Sequence, residues 1–197
     1  MRGFLIGLAV VAGLVVIVGL MFGGTYNSLV SSEEGVKEAW AQVENVYQRR
    51  LDLIPNLVET VKGYAAHERQ TLEEVVKARA NATQVKMSPE LANDPAALAK
   101  FEGAQQGLSS ALSRLLVVVE KYPDLKANQN FLALQSQLEG TENRIAVERR
   151  RFNEVARQFN TKIRVFPDNL IAGFFGFHSK AYFQAEQAAK TAPKVAF

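Results

Sequence analysis

From Gly3 to Gly24 the chain reads GFLIGLAVVAGLVVIVGLMFGG, without one charged side chain. At about 1.5 Å per residue, roughly 20 such residues cross a hydrocarbon core about 30 Å thick. A secretory signal has a shorter apolar core, about 7 to 15 residues, followed by a small-residue cleavage site. Here Met21-Phe22-Gly23-Gly24-Thr25-Tyr26 offers no convincing Ala-x-Ala. The run predicts one uncleaved membrane anchor over residues 1–25, and no second run of this kind follows in the helical domain expected over 26–197.

Beyond the anchor the pattern becomes amphipathic. Leu29, Val36, Trp40, Val43, Tyr47, Ile54, Val58, Val61, Ala65, Leu72 and Val76 step by three, four or seven, the seam of a bundle or coiled coil. Pro55 removes one backbone donor from this arm and predicts a kink near Leu51 rather than a stop. Ser88-Pro89 and Asn93-Asp94-Pro95 mark the arm's end and a turn. A second helix follows from about Pro95 to Tyr122, striped by Leu98, Phe101, Leu108, Leu112, Leu115 and Val119, with Gln105 alone breaking the stripe. The third, from near Leu125 to Phe166, carries Phe131, Leu134, Leu138, Ile145, Phe152, Val155, Phe159 and Ile163. Pro167-Asp168-Asn169 ends it, and Ala181 to Lys190 looks like a short closing helix. The expected fold is all-α: a single transmembrane helix continuing into an antiparallel bundle of three main helices plus a short C-terminal one.

Composition narrows the chemistry. The 197 residues contain no Cys, which removes disulfides, thiolate metal sites and cysteine nucleophiles together. A net charge of +3 is too small and too interspersed to argue for nucleic acid. Arg2 precedes the anchor, while Glu33 and Glu34 follow it before any basic residue, so the positive-inside rule favours a cytoplasmic N-terminus and an exported domain. Within the anchor, Gly3 with Gly7 and Ala9 with Gly13 fit the small-xxx-small spacing that lets helices approach closely in lipid. Glycine is also simply commoner in membrane helices, so both readings stand.

Tyr26-Asn27-x-Leu29-Val30, Ala39-Trp40, Val43-Glu44-Asn45 and the run Arg49-Arg50-Leu51-Asp52-Leu53-Ile54-Pro55-Asn56-Leu57-Val58 together resemble the signature of the LemA family. Tyr122-Pro123-Asp124-Leu125-Lys126-Ala127-Asn128, Glu139-Gly140-Thr141-Glu142-Asn143, Arg149-x-x-x-Asn153 and Phe166-Pro167 are similar to it in the same order. The resemblance implies a bacterial single-pass membrane protein with a long-helix bundle, and it implies little about activity.

No residue constellation points to catalysis. His67-Glu68 lacks the second histidine that a helix-borne zinc motif needs, since Thr71 stands there, and no phosphate loop is present. No catalytic residue, cofactor or metal is expected. Arg49, Arg50, Asp52, Asn56, Glu139, Glu142, Arg149 and Asn153 lie on or beside apolar seams, where they would form inter-helix pairs that fix register; the alternative is a polar groove for a ligand or partner. Leu170, Ile171, Phe174, Phe175 and Phe177 either cap the core or present a patch to a partner or to lipid. The functional expectation is a non-enzymatic structural or scaffolding protein of the bacterial inner membrane that forms a homo-oligomer. The alternative is a monomeric adaptor that offers its bundle to another envelope protein.

Overall fold

The apolar run and the first amphipathic arm form one helix, α1 (Arg2–Tyr64), of 63 residues, about 95 Å long. The computed structural model describes residues 2–184, apart from the side chain of Val18. Every described side chain from Phe4 to Phe22 is exposed, and this stretch is long and apolar enough to cross a membrane. From Leu29 onward α1 buries one stripe.

The helix passes through Pro55 without stopping. Its end comes at Ala65–Glu68, a turn, and α2 (Arg69–Gln84) runs back along α1. Here the structure departs from the single arm expected to reach Val76. Gly63 weakens the last turn of α1 by roughly 1 kcal/mol relative to alanine, and reversal lets Leu72, Val75 and Ala82 bury. The phase shifts across the turn, so Val75 is buried and Val76 lies half exposed.

A short 3-10 turn (Pro89–Asn93) leads to α3 (Pro95–Val119). Asp94 caps α3, accepting from the amides of Ala96 and Ala97 at 2.8 and 3.2 Å. Proline in the first turn costs no hydrogen bond, because that donor has no helical partner anyway. The one-turn α4 (Pro123–Lys126) separates α3 from α5 (Gln129–Lys162), and α6 (Asp168–Phe175) follows the cis Phe166–Pro167 bond.

α1 and α5 are antiparallel and fastened at both ends. Lys162 Nζ donates to Ser28 O at 2.9 Å near the apolar stretch, and Asn128 Nδ2 donates to Tyr64 Oη at 2.8 Å at the far end. α1, α2, α3 and α5 make an up-down-up-down bundle, one helix more than the sequence led us to expect, because the first arm folds in two.

The core follows a seven-residue repeat. On α5, Phe131, Leu138, Ile145, Phe152 and Phe159 are all buried at intervals of seven. On α1, Trp40, Tyr47, Ile54 and Val61 form one such row, and Leu29, Val36, Val43, Arg50 and Leu57 form the other. This is the seam of coiled-coil-like packing. Two large apolar clusters result. One, distal to the apolar stretch, contains Leu51, Leu108 and Leu138, and the other, nearer to it, contains Tyr47, Phe101 and Ile145.

Candidate functional site

Between these clusters the heptad rows carry polar residues: Arg50 on α1, Gln105 on α3 and Thr141 on α5, all buried. Arg50 Nε pairs with Glu142 Oε1 at 2.8 Å, and its Nη2 donates to Ser109 Oγ at 2.6 Å. Three helices are thereby joined at one level. Thr141 satisfies itself on the Gln137 carbonyl at 2.7 Å. Gln105 is 4% exposed, and neither atom of its side-chain amide has a hydrogen-bond partner among the described residues. Just nearer the apolar stretch, burial pushes the Tyr47 phenol up to about 12, partly opposed by Arg149 and Arg50.

A cleft of about 270 Å³ opens beside this layer, with walls from α3 and α5 and a floor of Tyr47 and Arg50. Glu102 and Arg149 face one another there at 2.6 Å. Burial raises the Glu102 pKa above the usual glutamate value, against the pull of Arg149 and of the Gln184 amide. Past the Arg50–Glu142 bridge a second hollow of about 300 Å³ continues between the same helices, now lined by Leu57, Leu112, Leu116 and Leu138.

The chain after α6 enters this region from below. Gly176 takes φ 75°, a left-handed conformation that glycine adopts without strain, and turns the backbone upward. Residues 177–184 then run in non-helical conformation against the half of the bundle nearer the apolar stretch. Asn160 exchanges two bonds with the main chain of Lys180, donating to its carbonyl at 2.8 Å and accepting from its amide at 2.7 Å. Asn153 treats Phe183 in the same way, at 2.8 and 2.9 Å. For Gln184, Arg149 donates to the carbonyl at 2.7 Å and Glu102 accepts from the amide at 3.1 Å. The Phe183 ring stacks on Trp40 at 5.7 Å and meets Phe152 edge-on at 5.5 Å. The buried Lys180 ammonium donates to Glu33 at 2.6 Å and to Asn93 at 2.9 Å. The helix expected from Ala181 is thus a strap over 181–184, and residues 185–190 of that expectation lie outside the described residues.

Near the end of the apolar stretch, α6 divides between the two roles expected of it. Ile171 and Ala172 are buried with Leu29, and Phe177 is half-buried, edge-on to Phe159 at 6.4 Å. Leu170, Phe174 and Phe175 are exposed, as is Phe166, and Phe175 lies 4.6 Å from the Tyr26 ring.

Of the eight polar residues singled out by sequence, Arg50 and Glu142 bridge helices. Arg149 bridges helices as well, to Glu102 of α3 at 2.6 Å, and with Asn153 it also holds the strap. Arg49 and Asn56 face solvent, while Asp52 and Glu139 accept from Gln48 and Gln135 of their own helices at 2.8 and 3.1 Å. Sequence reasoning missed Glu102, Ser109 and Asn160. Gln105 did leave a signal, as the sole polar break in the α3 stripe. In the apolar stretch, an added Cβ at Gly3, Gly7 or Gly13 would meet nothing within 4 Å, and Ala9 is exposed. Among the described residues no three His, Asp or Glu side chains gather as metal ligands, and His67 and His178 are exposed.

The LemA family model matches residues 39–197. Magnetosome proteins MamQ 1 and MamQ 2 of Paramagnetospirillum magneticum are each 29% identical to the chain, over 84% of it and 67% of each relative. Protein LemA of Metamycoplasma hominis is 23% identical, over 85% of this chain and 72% of that protein.

Proposed function

The chain belongs to the LemA family, and from this and the geometry above we propose that it is a membrane-anchored structural or scaffolding protein of the bacterial envelope. It sits in the inner membrane as a single-pass protein, N-terminus cytoplasmic and bundle outside the cytoplasm. Its role is non-enzymatic. The observation that carries this reading is the unbroken α1, in which an exposed apolar stretch and the main seam of the bundle are one helix. Whatever the apolar stretch binds, the bundle is carried on the same helix. Self-association through the face of Gly3, Gly7, Ala9 and Gly13 makes the functional unit a homo-oligomer.

The test is the native mass of the full chain in mild detergent, beside a chain starting at Thr25. A defined oligomer that dissociates when the anchor is removed is the expected result. A monomer in both would overturn self-assembly.

The second reading, a monomeric adaptor for another envelope protein, is favoured by the cleft between α3 and α5. Site-specific crosslinking from that cleft in intact membranes should then capture a defined protein other than the chain itself.

A further inference from the structure

The bundle holds an extended main chain in a repeated way. Asn160 and Asn153 each present one side-chain amide to one backbone residue, donating to its C=O and accepting from its N–H. Glu102 and Arg149 together do the same for Gln184. An amide matches a peptide unit because both carry one donor and one acceptor side by side. Next along α3, less than one turn beyond Glu102, stands Gln105. It lines the cleft, is 4% exposed, and has the same two-atom amide with neither atom partnered among the described residues. Buried polar groups are otherwise nearly always hydrogen-bonded.

We infer that the cleft between α3 and α5 is a binding site for the main chain of an extended peptide, with Gln105 reading one peptide unit. The surrounding charges fit an uncharged backbone, because each cation is already matched: Arg149 by Glu102 and Arg50 by Glu142. Gly103 also lines the cleft, and no atom lies within 4 Å of the Cβ it lacks. A backbone can therefore approach α3 closely at that point. The occupant is a segment of a partner polypeptide supplied in trans, since the strap, as far as it is described, spends its last main-chain groups on Glu102 and Arg149 and leaves both atoms of the Gln105 amide without a partner. This assignment rests on the adaptor reading and names the chemistry of its partner.

The experiment uses the full chain in detergent and, as probe, a tetra-alanine peptide acetylated at its N-terminus and closed by an N-methylamide at its C-terminus. Binding is followed through the side-chain amide signals of Gln105 by NMR. A saturable shift of those signals is expected. Gln105→Met should bind the probe about tenfold more weakly, a change of about 1.4 kcal/mol. That variant should fold, because replacing an unpartnered buried amide by an apolar group of similar shape is nearly neutral or stabilising. If Gln105 were only structural, Gln105→Met would alter stability and leave probe binding unchanged, which overturns the proposal. Absence of any shift at millimolar probe also overturns it. Binding seen only after removal of residues 185–197 would assign the cleft to the chain's own continuation and overturn the assignment in trans. Should the probe fail while crosslinking still captures a defined partner, the peptide assignment falls and the adaptor reading survives.

Discussion

Pro55 lacks the amide hydrogen that would close a helical bond to the Leu51 carbonyl four residues earlier. That carbonyl accepts from Arg79 Nε of α2 at 2.9 Å. The donor missing from one helix is thus supplied by its neighbour, and α1 continues through Pro55 without the stop that proline can impose. Arg79→Met should cost about 1 kcal/mol in the native background and clearly less beside Pro55→Ala, where the helix recovers its own donor. A double-mutant cycle by urea unfolding measures the difference, and equal costs in both backgrounds would refute the pairing. The Arg50–Glu142 bridge is asymmetric in burial, with side-chain exposures of 2% and 43%. Removing the acid leaves a buried cation, whereas removing the cation leaves a carboxylate that water can reach. Glu142→Ala should therefore destabilise by about 3 kcal/mol and Arg50→Met by about 1 kcal/mol. Equal losses, measured by the same unfolding experiment, would show that burial does not set the cost here.

The elements differ in how openly the sequence declares them. α3 carries a cap, a first-turn proline and a stripe of 3-4 spacing, and it was legible from its first residue to within a turn of its end, at Val119 rather than Tyr122. The reversal at Ala65–Glu68 was not, because no proline marks it and because apolar residues on both sides face one core, so Leu72 falls seven residues after Ala65 and the change of phase shows only at Val75. The strap was hidden for a different reason: its backbone is held by side chains from α5 and α3, and such long-range bonds leave no period in the sequence. Only the two-sided packing of Phe183 between Trp40 and Phe152 reveals its weight. Phe183→Ala should cost about 3 kcal/mol and speed amide exchange at Lys180 and Phe183 before the helices open. Glu102 gives the strap a pH dependence. Its folded pKa lies above the ordinary value, so between those two values the folded chain binds more proton than the unfolded one. Stability from this group is therefore fullest below the usual glutamate range and falls as pH rises through the raised pKa. Compared with Glu102→Gln, the native chain should lose relative stability across that rise, which urea midpoints from pH 4 to 7 would register. A difference independent of pH would mean that Glu102 does not titrate differently in the folded state.

At the scale of the whole molecule, the unbroken course of α1 sets where every other surface would stand relative to a bilayer. If residues up to Thr25 span the membrane, Tyr26 lies at its surface. Phe175 lies beside Tyr26, and the exposed Leu170 and Phe174 belong to the same short helix. An apolar patch in that position is expensive in water and favourable among headgroups, where aromatic rings gather. α6 would then be a foot, buried on one side against Leu29 and wetted by lipid on the other. The cleft at Gln105 would stand well clear of the bilayer, since the neighbouring Tyr47 is about 33 Å along α1 from Thr25. Phe174→Trp in vesicles of brominated phosphatidylcholine tests the arrangement. The chain's single tryptophan, Trp40, is buried at 1% exposure, so the native chain should show little quenching and the variant strong quenching. Equal, weak quenching in both would lift α6 off the lipid and leave its phenylalanines to a protein neighbour. Strong quenching in both would place Trp40 at the membrane, and the bundle could not then stand upright on α1.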